Sequence, residues 1–348
     1  MEERFARKTA EKDITFSEAA SRFIADQKGK GNAPATINHY ERSIKKLYKF
    51  FCWLAFSEKC DSMSDEDRIK AGMGKKVSVF DKDGIECDFR TFLTETGKVN
   101  EVTVNTYFRD YRVIAYWLAD SGFIEGHRIK IKAVEPSVKE VYSDIEISKL
   151  LKKPKADCSF TEYRNWVVIH HLLATGNRIS TICAIKISDI DWDDGMLAVQ
   201  VQKNKRKSRI PIEETYMKVL REYVDLWLTD EKGNYISEFL FPSAYLNSEE
   251  KLNRVTLSQS LADYNKSRGV LKTSTHLFRH TFAKHWIMAG KDLHSLQKIL
   301  GHSTLDMVTH YANLYDTDLK PKVEEHSILR EQKNKSRNAG RLIQRKGK

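Results

Sequence analysis

The sequence lacks long apolar runs and paired cysteines, and each absence excludes a class of protein. No stretch approaches the roughly 18 apolar residues that a membrane-spanning helix needs. The charged N-terminal extension, residues 1–13, has no apolar segment of the kind that a secretory signal contains. The five cysteines are scattered and include no CxxC pair. We therefore expect free thiols in a reducing cytoplasm.

Positive charge is what the chain has in excess. Its 348 residues include 59 Lys and Arg against 48 Asp and Glu, which gives a formal net charge of +11. This balance predicts a polyanionic partner and favours nucleic acid over an anionic membrane surface. A chain of this length has room for two domains, each with its own core.

The first half of the chain carries helical patterns. Apolar residues recur at helical spacing between residues 14 and 126, which predicts a helical domain there. Asp83 and Gly84 lie between two apolar arms, so residues 77–89 are predicted as a small β-hairpin. Residues 127–140 are basic, contain a proline and lack helical periodicity, which indicates a linker.

The second domain, residues 141–319, is predicted to combine helices with a small sheet. A helix is expected over residues 178–190, and a turn at the sequence Asp-Asp-Gly that ends at Gly195. The segments MLAVQVQ and KSRIPI then alternate as two strands joined by a short basic turn. Residues 320–348 form a basic tail. The expected fold class is therefore mainly α with a small β-hairpin or sheet in the second domain (α+β).

Six residues of the second domain form the most informative pattern. In chain order they are Arg178, Lys203, His276, Arg279, His302 and Tyr311. This set matches no metal or nucleotide site, but it suits the breaking of a phosphodiester by a tyrosine. Arginines can bind the charge that develops on the non-bridging oxygens, and histidines can donate further hydrogen bonds. A lysine can protonate the leaving hydroxyl, and a tyrosine conserves the bond energy in a covalent intermediate. No metal and no cofactor is needed.

Local signals support a site at a helix start. Ser274 or Thr275 can cap a helix in which His276 and Arg279, three residues apart, share one face of the first turn. The N-terminal end of a helix is also a favourable place for a phosphate.

A second group of signals surrounds the tyrosine. Gly301 is suited to end a short apolar helix, and His302 follows it directly. Ser303 can cap a further helix that carries Tyr311. The nucleophile would then lie on a separable C-terminal helix.

Taken one at a time, these residues have simpler explanations. Tyr311 is one of 14 tyrosines. His276 and His280 could resemble a zinc pair, but the glutamate of a zincin motif and a nearby cysteine are missing. The basic tract 203–209 could be a solvated turn. The joint order and spacing of the six residues favours the catalytic interpretation.

With these motifs in place, the chain resembles the tyrosine recombinase (phage integrase) family. The resemblance is good over residues 141–315 and looser over residues 14–130. The motifs that carry it are TGNR, HLFRH and LGHSTLDMVTHY. In the family the nucleophile follows the histidine of LGH by nine residues, and Tyr311 fits that count from His302.

The resemblance implies a two-domain architecture and a role for each residue of the set. Residues 14–126 would be a SAM-like core-binding domain and residues 141–319 the catalytic domain. Arg178 and Arg279 would bind the phosphate, His276 and His302 would donate hydrogen bonds to it, and Tyr311 would attack it. His276 could also assist as a base. Lys203 would be the general acid, with Lys205 or Lys207 as the alternative because the register of the turn is open.

Two departures from the family pattern stand out. Many members carry an acidic residue three positions after the first arginine, where this chain has Thr181. The short N-terminal extension leaves no room for the arm-binding domain of lambda-integrase-like members. Together with the basic tail, the possible insertion at residues 77–89 favours an enzyme of a mobile element over an Xer protein.

The resemblance also implies partners. The substrate would be double-stranded DNA with inverted-repeat core sites, bound by two domains from opposite faces. The candidate DNA-contacting residues are Lys130, Lys132, Lys205, Arg206, Lys207 and Arg209. We expect a monomer or weak oligomer in the free state and a homotetramer in the synaptic complex, with Ile328 and Leu329 in a docking tail. An accessory DNA-bending or directionality protein is a further candidate partner.

Three other functions remain open from the sequence. Xer-type dimer resolution would use the same chemistry on a housekeeping site. A type IB topoisomerase would share the chemistry without a tetramer. A DNA-binding protein descended from a recombinase would bind without cleaving, although such proteins usually lack part of the residue set.

Overall fold

The computed structural model describes most of the chain. The described residues are 14–56, 58–133, 140–201, 206–243 and 251–302, together with 304, 305, 308, 311 and 329. The chain divides into two compact units, Met1–Glu135 and Pro136–Lys348. Within the described residues no helix is both long enough and apolar enough to cross a membrane.

The first unit is built from helices. In chain order they are α1 (Phe16–Gly29), α2 (Pro34–Phe56), α3 (Glu58–Asp61), α4 (Asp65–Met73), a 3-10 turn (Val77–Asp81), α5 (Ile85–Thr91), a π-helical turn (Phe92–Thr96) and α6 (Glu101–Asp120). Thr15 begins α1 through a capping box with Glu18. The core is rich in aromatic rings, and those of Phe16 and Phe51 meet edge to face with centroids 5.1 Å apart.

The β-hairpin predicted for residues 77–89 is wrong. This segment forms the 3-10 turn and α5, and Gly84, at φ 78°, is the residue from which α5 begins. Val77, Phe80 and Phe89 are almost fully buried. Their spacing suits successive helical turns that face one core, whereas paired strands would bury every second residue.

The first part of the predicted linker packs against this unit. Ile129 is buried in its core, and Asn105 Nδ2 donates a hydrogen bond of 2.7 Å to the backbone oxygen of Lys132. The side chains of Lys130 and Lys132 are exposed. Residues 134–139 lie outside the described part.

The second unit is mainly helical and contains one small sheet. Its elements are α7 (Asp144–Leu151), α8 (Phe160–Thr175), α9 (Ile179–Ile182), a 3-10 turn (Ile187–Asp189), β1 (Ile190–Asp191), β2 (Met196–Val201), β3 (Arg206–Pro211), α10 (Glu214–Trp227), α11 (Arg254–Ser267), α12 (His276–Met288) and α13 (Leu293–Leu300). Helix α8 packs against α7, α10, α11 and α12. Because neighbours surround it, α8 buries residues on all sides, including Trp166 and Leu172.

The sheet is antiparallel with the order β1-β2-β3. In β2 and β3, Leu197 lies opposite Ile210 and Val199 opposite Ser208. Gly195 adopts φ 63° in the turn before β2. The predicted strands and the mainly α fold class are thus confirmed, while the basic turn at residues 202–205 lies outside the described part.

The helix predicted over residues 178–190 is wrong beyond its first turn. After α9, the backbone of Ile185 accepts a hydrogen bond from Leu240 N–H at 2.9 Å, and Ile187 N–H donates to the oxygen of Glu238 at 3.0 Å. β-Branched residues suit such extended pairing. A partner about 50 residues away in sequence therefore overrides the local helical pattern.

Candidate active site

Arg279 lies at the centre of the candidate site. It is in the first turn of α12 and is only 4% exposed. Its Nη1 donates to the backbone oxygen of Gly176 at 2.9 Å, and its Nη2 donates to that of Leu300 at 2.8 Å. Burial lowers the pKa of Arg279, the nearby charge of Arg178 lowers it further, and an interaction with Tyr311 opposes both effects. A buried cation is thus held by two carbonyl groups.

The acceptor at Gly176 depends on a backbone conformation that suits glycine. Gly176 ends α8 at φ 62°. A Cβ atom there would lie 2.5 Å from Cδ1 of Phe282 and 2.8 Å from Cδ2 of Leu300. Both the conformation and the close packing require a residue without a side chain.

Arg178 follows two residues later at the start of α9. It is half-buried, and its positive charge contributes to the lowered pKa values of His276, Arg279 and His302. These interactions place Arg178 in one electrostatic cluster with them. Within the described residues no carboxylate forms an ion pair with Arg178, which agrees with Thr181 in place of the acidic residue.

His302 is positioned by the end of α13. Gly301 ends the helix at φ 63°, as predicted, and His302 N–H donates to the oxygen of Gln297 at 3.0 Å. Its Nε2 accepts a hydrogen bond from Arg279 Nη2 at 2.5 Å. Burial, followed by the charges of Arg279 and Arg178, lowers the pKa of His302 to about 4. The imidazole is therefore neutral at pH 7, with its proton on Nδ1.

Tyr311 packs directly beside these groups. Its ring lies parallel to that of His302, with centroids 5.9 Å apart and an interplanar angle of 7°. On another side it lies 5.2 Å from the ring of His280. It also packs against a small apolar cluster that includes Ile287 and Leu300. Ser303 and most of the segment predicted to form a separate helix are outside the described residues.

His276 is the first residue of α12, three before Arg279 as predicted. Burial lowers the pKa of His276, and the charges of Arg279, Arg178 and Arg254 lower it further. Thr275 makes no side-chain capping bond, so the predicted cap is absent at that residue. At this end of α12, Leu277 N–H instead donates to the backbone oxygen of Ser274 at 3.1 Å.

Two groups beside the site were missed from sequence. Arg254, at the start of α11, is exposed and acts on His276 electrostatically, but no motif marks it. His171 and Asn177 form a buried polar pair behind Arg178. The asparagine inside TGNR was a visible signal, and His171 lies only six residues before it. The contact of His171 with Tyr216, 45 residues away, was not visible in the sequence.

The candidate general acid is not among these groups. Lys203 and Lys205 lie outside the described residues, and only the backbone of Arg206 and Lys207 is described. Arg209 is exposed on β3, and its Nη2 pairs with Asp191 Oδ2 at 2.6 Å. Five of the six candidate catalytic residues are thus brought together, and the sixth, Lys203, lies between β2 and β3 in the sequence.

The arrangement can bind an anion beside a phenol. Arg279 interacts with Tyr311, and the His302 ring lies parallel to that of the tyrosine. Burial lowers the pKa values of His276, Arg279 and His302, and repulsion by the neighbouring guanidinium groups lowers them further. A bound phosphate would relieve this repulsion, because it supplies the missing negative charge. Within the described part of the chain no three metal-binding side chains cluster together.

Comparisons with known proteins agree with this geometry. The family model described as "Phage integrase family" matches residues 141–318. The chain is 26% identical over 288 residues to the tyrosine recombinase XerA of Pyrococcus horikoshii. The match covers 74% of this chain and 98% of that protein.

Solved structures show the same fold. The Tn1549 transposon integrase in complex with transposon right end DNA matches with a TM-score of 0.66 at 17% identity, over 90% of this chain and 99% of that one. A lambda integrase tetramer bound to a Holliday junction matches with a TM-score of 0.60 at 16% identity, over 86% of this chain and 80% of that one.

Proposed function

Because this chain belongs to the phage integrase family and is a tyrosine site-specific recombinase, we propose that Tyr311 is the nucleophile that cleaves its DNA. The observation that carries the proposal is that Arg279, which lies in the field of Arg178, and His302 both adjoin Tyr311, one tyrosine among 14. A tyrosine beside so much positive charge is well placed to meet a phosphate.

The proposed reaction exchanges one phosphodiester for another. The Tyr311 oxygen forms a bond to phosphorus while the bond from phosphorus to the 5′ oxygen breaks. The products are a 3′-phosphotyrosine and a free 5′-hydroxyl. A 5′-hydroxyl from the partner duplex then attacks the phosphotyrosine, which releases Tyr311 and joins the exchanged strands.

The arginines stabilise the charge of the pentacoordinate phosphorus. The described bonds of Arg279 to Gly176, Leu300 and His302 use three of its five N–H groups. The remaining two can serve Tyr311 and a phosphate oxygen. Arg178, which no carboxylate in the described residues engages, supplies the second guanidinium.

The proton transfers are assigned to the remaining groups. Because its pKa is lowered, His276 is neutral at pH 7 and can accept the proton of Tyr311. Lys203 donates the proton that the 5′ oxygen needs, with Lys205 and Lys207 as the alternatives in the same turn. His302 accepts a hydrogen bond from Arg279 through its Nε2, and its Nδ1–H is the group that can donate to the phosphate.

DNA binding would use the excess of positive charge. The proposed phosphate contacts are Lys130, Lys132, Lys205, Arg206, Lys207 and Arg209, of which Lys130, Lys132 and Arg209 have exposed side chains. We further propose inverted-repeat core sites, a synaptic homotetramer and a role in a mobile element. The likeness to an integrase tetramer and to a transposon integrase supports the last two.

The test is covalent trapping in EDTA. Nicked suicide duplexes from the ends of the element or locus that encodes the chain are incubated with wild type and with Tyr311→Phe, a change that removes only the hydroxyl. We expect an SDS-resistant protein–DNA band with wild type alone. A band with Tyr311→Phe would contradict the assignment of the nucleophile, and tight binding without any band would favour a protein that only binds DNA. Relaxation of plasmids without sequence preference would favour a topoisomerase.

A further inference from the structure

A fully buried histidine lies behind the turn that carries Arg178. His171, in α8, is 0% exposed, and Asn177 is 7% exposed. Asn177 Nδ2 lies 3.1 Å from His171 Nε2, and His171 Nδ1 lies 2.8 Å from the hydroxyl of Tyr216 in α10. Buried polar groups of this kind persist only where each finds a partner, so the three side chains form one connected chain of hydrogen bonds.

This chain of bonds is joined to the turn at two further points. Thr175 Oγ1 donates to the backbone oxygen of His171 at 2.7 Å and accepts from Asn177 N–H at 3.3 Å. Between Thr175 and Asn177 lies Gly176, whose oxygen accepts from Arg279 at 2.9 Å. Asn177 is followed directly by Arg178. The same short turn therefore sets the position of both arginines.

The network is neutral. Burial lowers the pKa of His171 to about 3, so the ring carries one proton at pH 7. An amide nitrogen can only donate, hence Nε2 accepts from Asn177 and the proton on Nδ1 is donated to Tyr216. This uncharged network supports a turn that lies beside two guanidinium groups. Thr181, which stands where many family members have an acidic residue, offers no carboxylate to Arg178.

We infer that Asn177 and His171 are positioning residues for the phosphate site, because their buried hydrogen bond fixes the turn that presents Arg178 and the Gly176 carbonyl. The inference rests on the proposed function, in which Arg178 and Arg279 bind the scissile phosphate. Neither residue touches the DNA in this scheme; both act through the arginines.

The first test compares cleavage with binding. Asn177→Leu and His171→Phe should slow covalent-complex formation at saturating DNA by at least about tenfold, with unchanged single-site Kd. The double variant should be no slower than the slower single variant, because both changes break one bond. His170→Phe is the matched control: His170 is the adjacent histidine, and its Nδ1 contacts only the backbone of Trp166 in its own helix. It should cleave at the wild-type rate.

The second test asks whether the loss passes through the arginines. A methylphosphonate at the scissile position replaces one charged oxygen by a methyl group, so an arginine contributes less to its cleavage. The deficits of Asn177→Leu and Arg178→Ala should both shrink on this substrate, while the deficit of Lys203→Ala should persist. Should Asn177→Leu fail to fold, Tyr216→Phe removes a single oxygen from the same chain of bonds and must show the same shrinkage.

The outcomes separate this inference from the proposed function. Suppose that wild-type protein forms the Tyr311-dependent complex. If the Asn177 and His171 variants then cleave both substrates at the wild-type rate, or show equal deficits on both, the inference alone is overturned. Wild-type protein that forms no such complex on its own site overturns the proposed function and the inference with it.

Discussion

Replacing Gly176 by alanine tests how closely the arginine turn is packed. The residue sits at φ 62°, and a Cβ atom would lie 2.5 Å from the Phe282 ring and 2.8 Å from Leu300. A left-handed alanine costs about 1–2 kcal/mol, and overpacking costs about 1–3 kcal/mol. The reduced entropy of the unfolded chain returns about 0.4–1 kcal/mol. At the middle of these ranges, the net destabilisation is about 3 kcal/mol.

The assay is thermal unfolding of the full chain followed by circular dichroism, together with the cleavage assay. A loss of this size should lower the Tm by about 5–15 °C. Cleavage should fall more than DNA binding, because the Gly176 carbonyl is an acceptor for Arg279. Gly269→Ala is the matched control, since Gly269 has φ 69° with nothing within 4 Å of its would-be Cβ. The decrease in its Tm should reflect only the cost of an alanine in the left-handed conformation.

Equal decreases in Tm for Gly176→Ala and Gly269→Ala would refute the reasoning, because the larger decrease expected for Gly176→Ala is attributed to the clash with Phe282 and Leu300. Wild-type cleavage by a destabilised Gly176→Ala protein would show that the carbonyl is not needed to position Arg279.

Three further predictions concern the acid, the pH dependence and the DNA. Lys203→Ala should cleave slowly but recover on a substrate with a 5′-bridging sulfur, which leaves without a proton; absence of recovery would move the acid to Lys205 or Lys207. The pKa of His171 is about 3 in the folded chain and about 6.5 in the unfolded chain. The unfolded chain therefore binds the proton first as the pH falls. The contribution of this group to stability is complete above pH 6.5 and decreases as the pH drops towards 3. At pH 5 the urea midpoint should reflect a loss of about 2 kcal/mol from this group, and an unchanged midpoint would argue against the buried neutral ring. If about ten phosphates are neutralised, log K for DNA should fall with log salt at a slope near −9, whereas a slope near zero would exclude the proposed phosphate contacts.

The elements predicted well are those whose signal is local. Gly301 ends its helix as predicted, and the two alternating strands pair as expected. The wrong predictions concern segments whose structure depends on residues far away in the sequence. Residues 77–89 are helical because one core buries their apolar side chains, and the helix stops after α9 because the backbones of Ile185 and Ile187 pair with those of Leu240 and Glu238.

The family and the candidate catalytic residues could be predicted from sequence, because both predictions rest on residue types at fixed spacings, such as the nine residues from His302 to Tyr311. The hydrogen bonds and pKa values of those residues, in contrast, depend on the folded chain. The bond of Arg279 to Gly176 joins positions 103 apart, and that of His171 to Tyr216 joins positions 45 apart. The lowered pKa of His302 likewise comes from burial and from two arginines on other elements. Such properties depend on distance and dielectric in the folded chain, which a linear pattern does not contain.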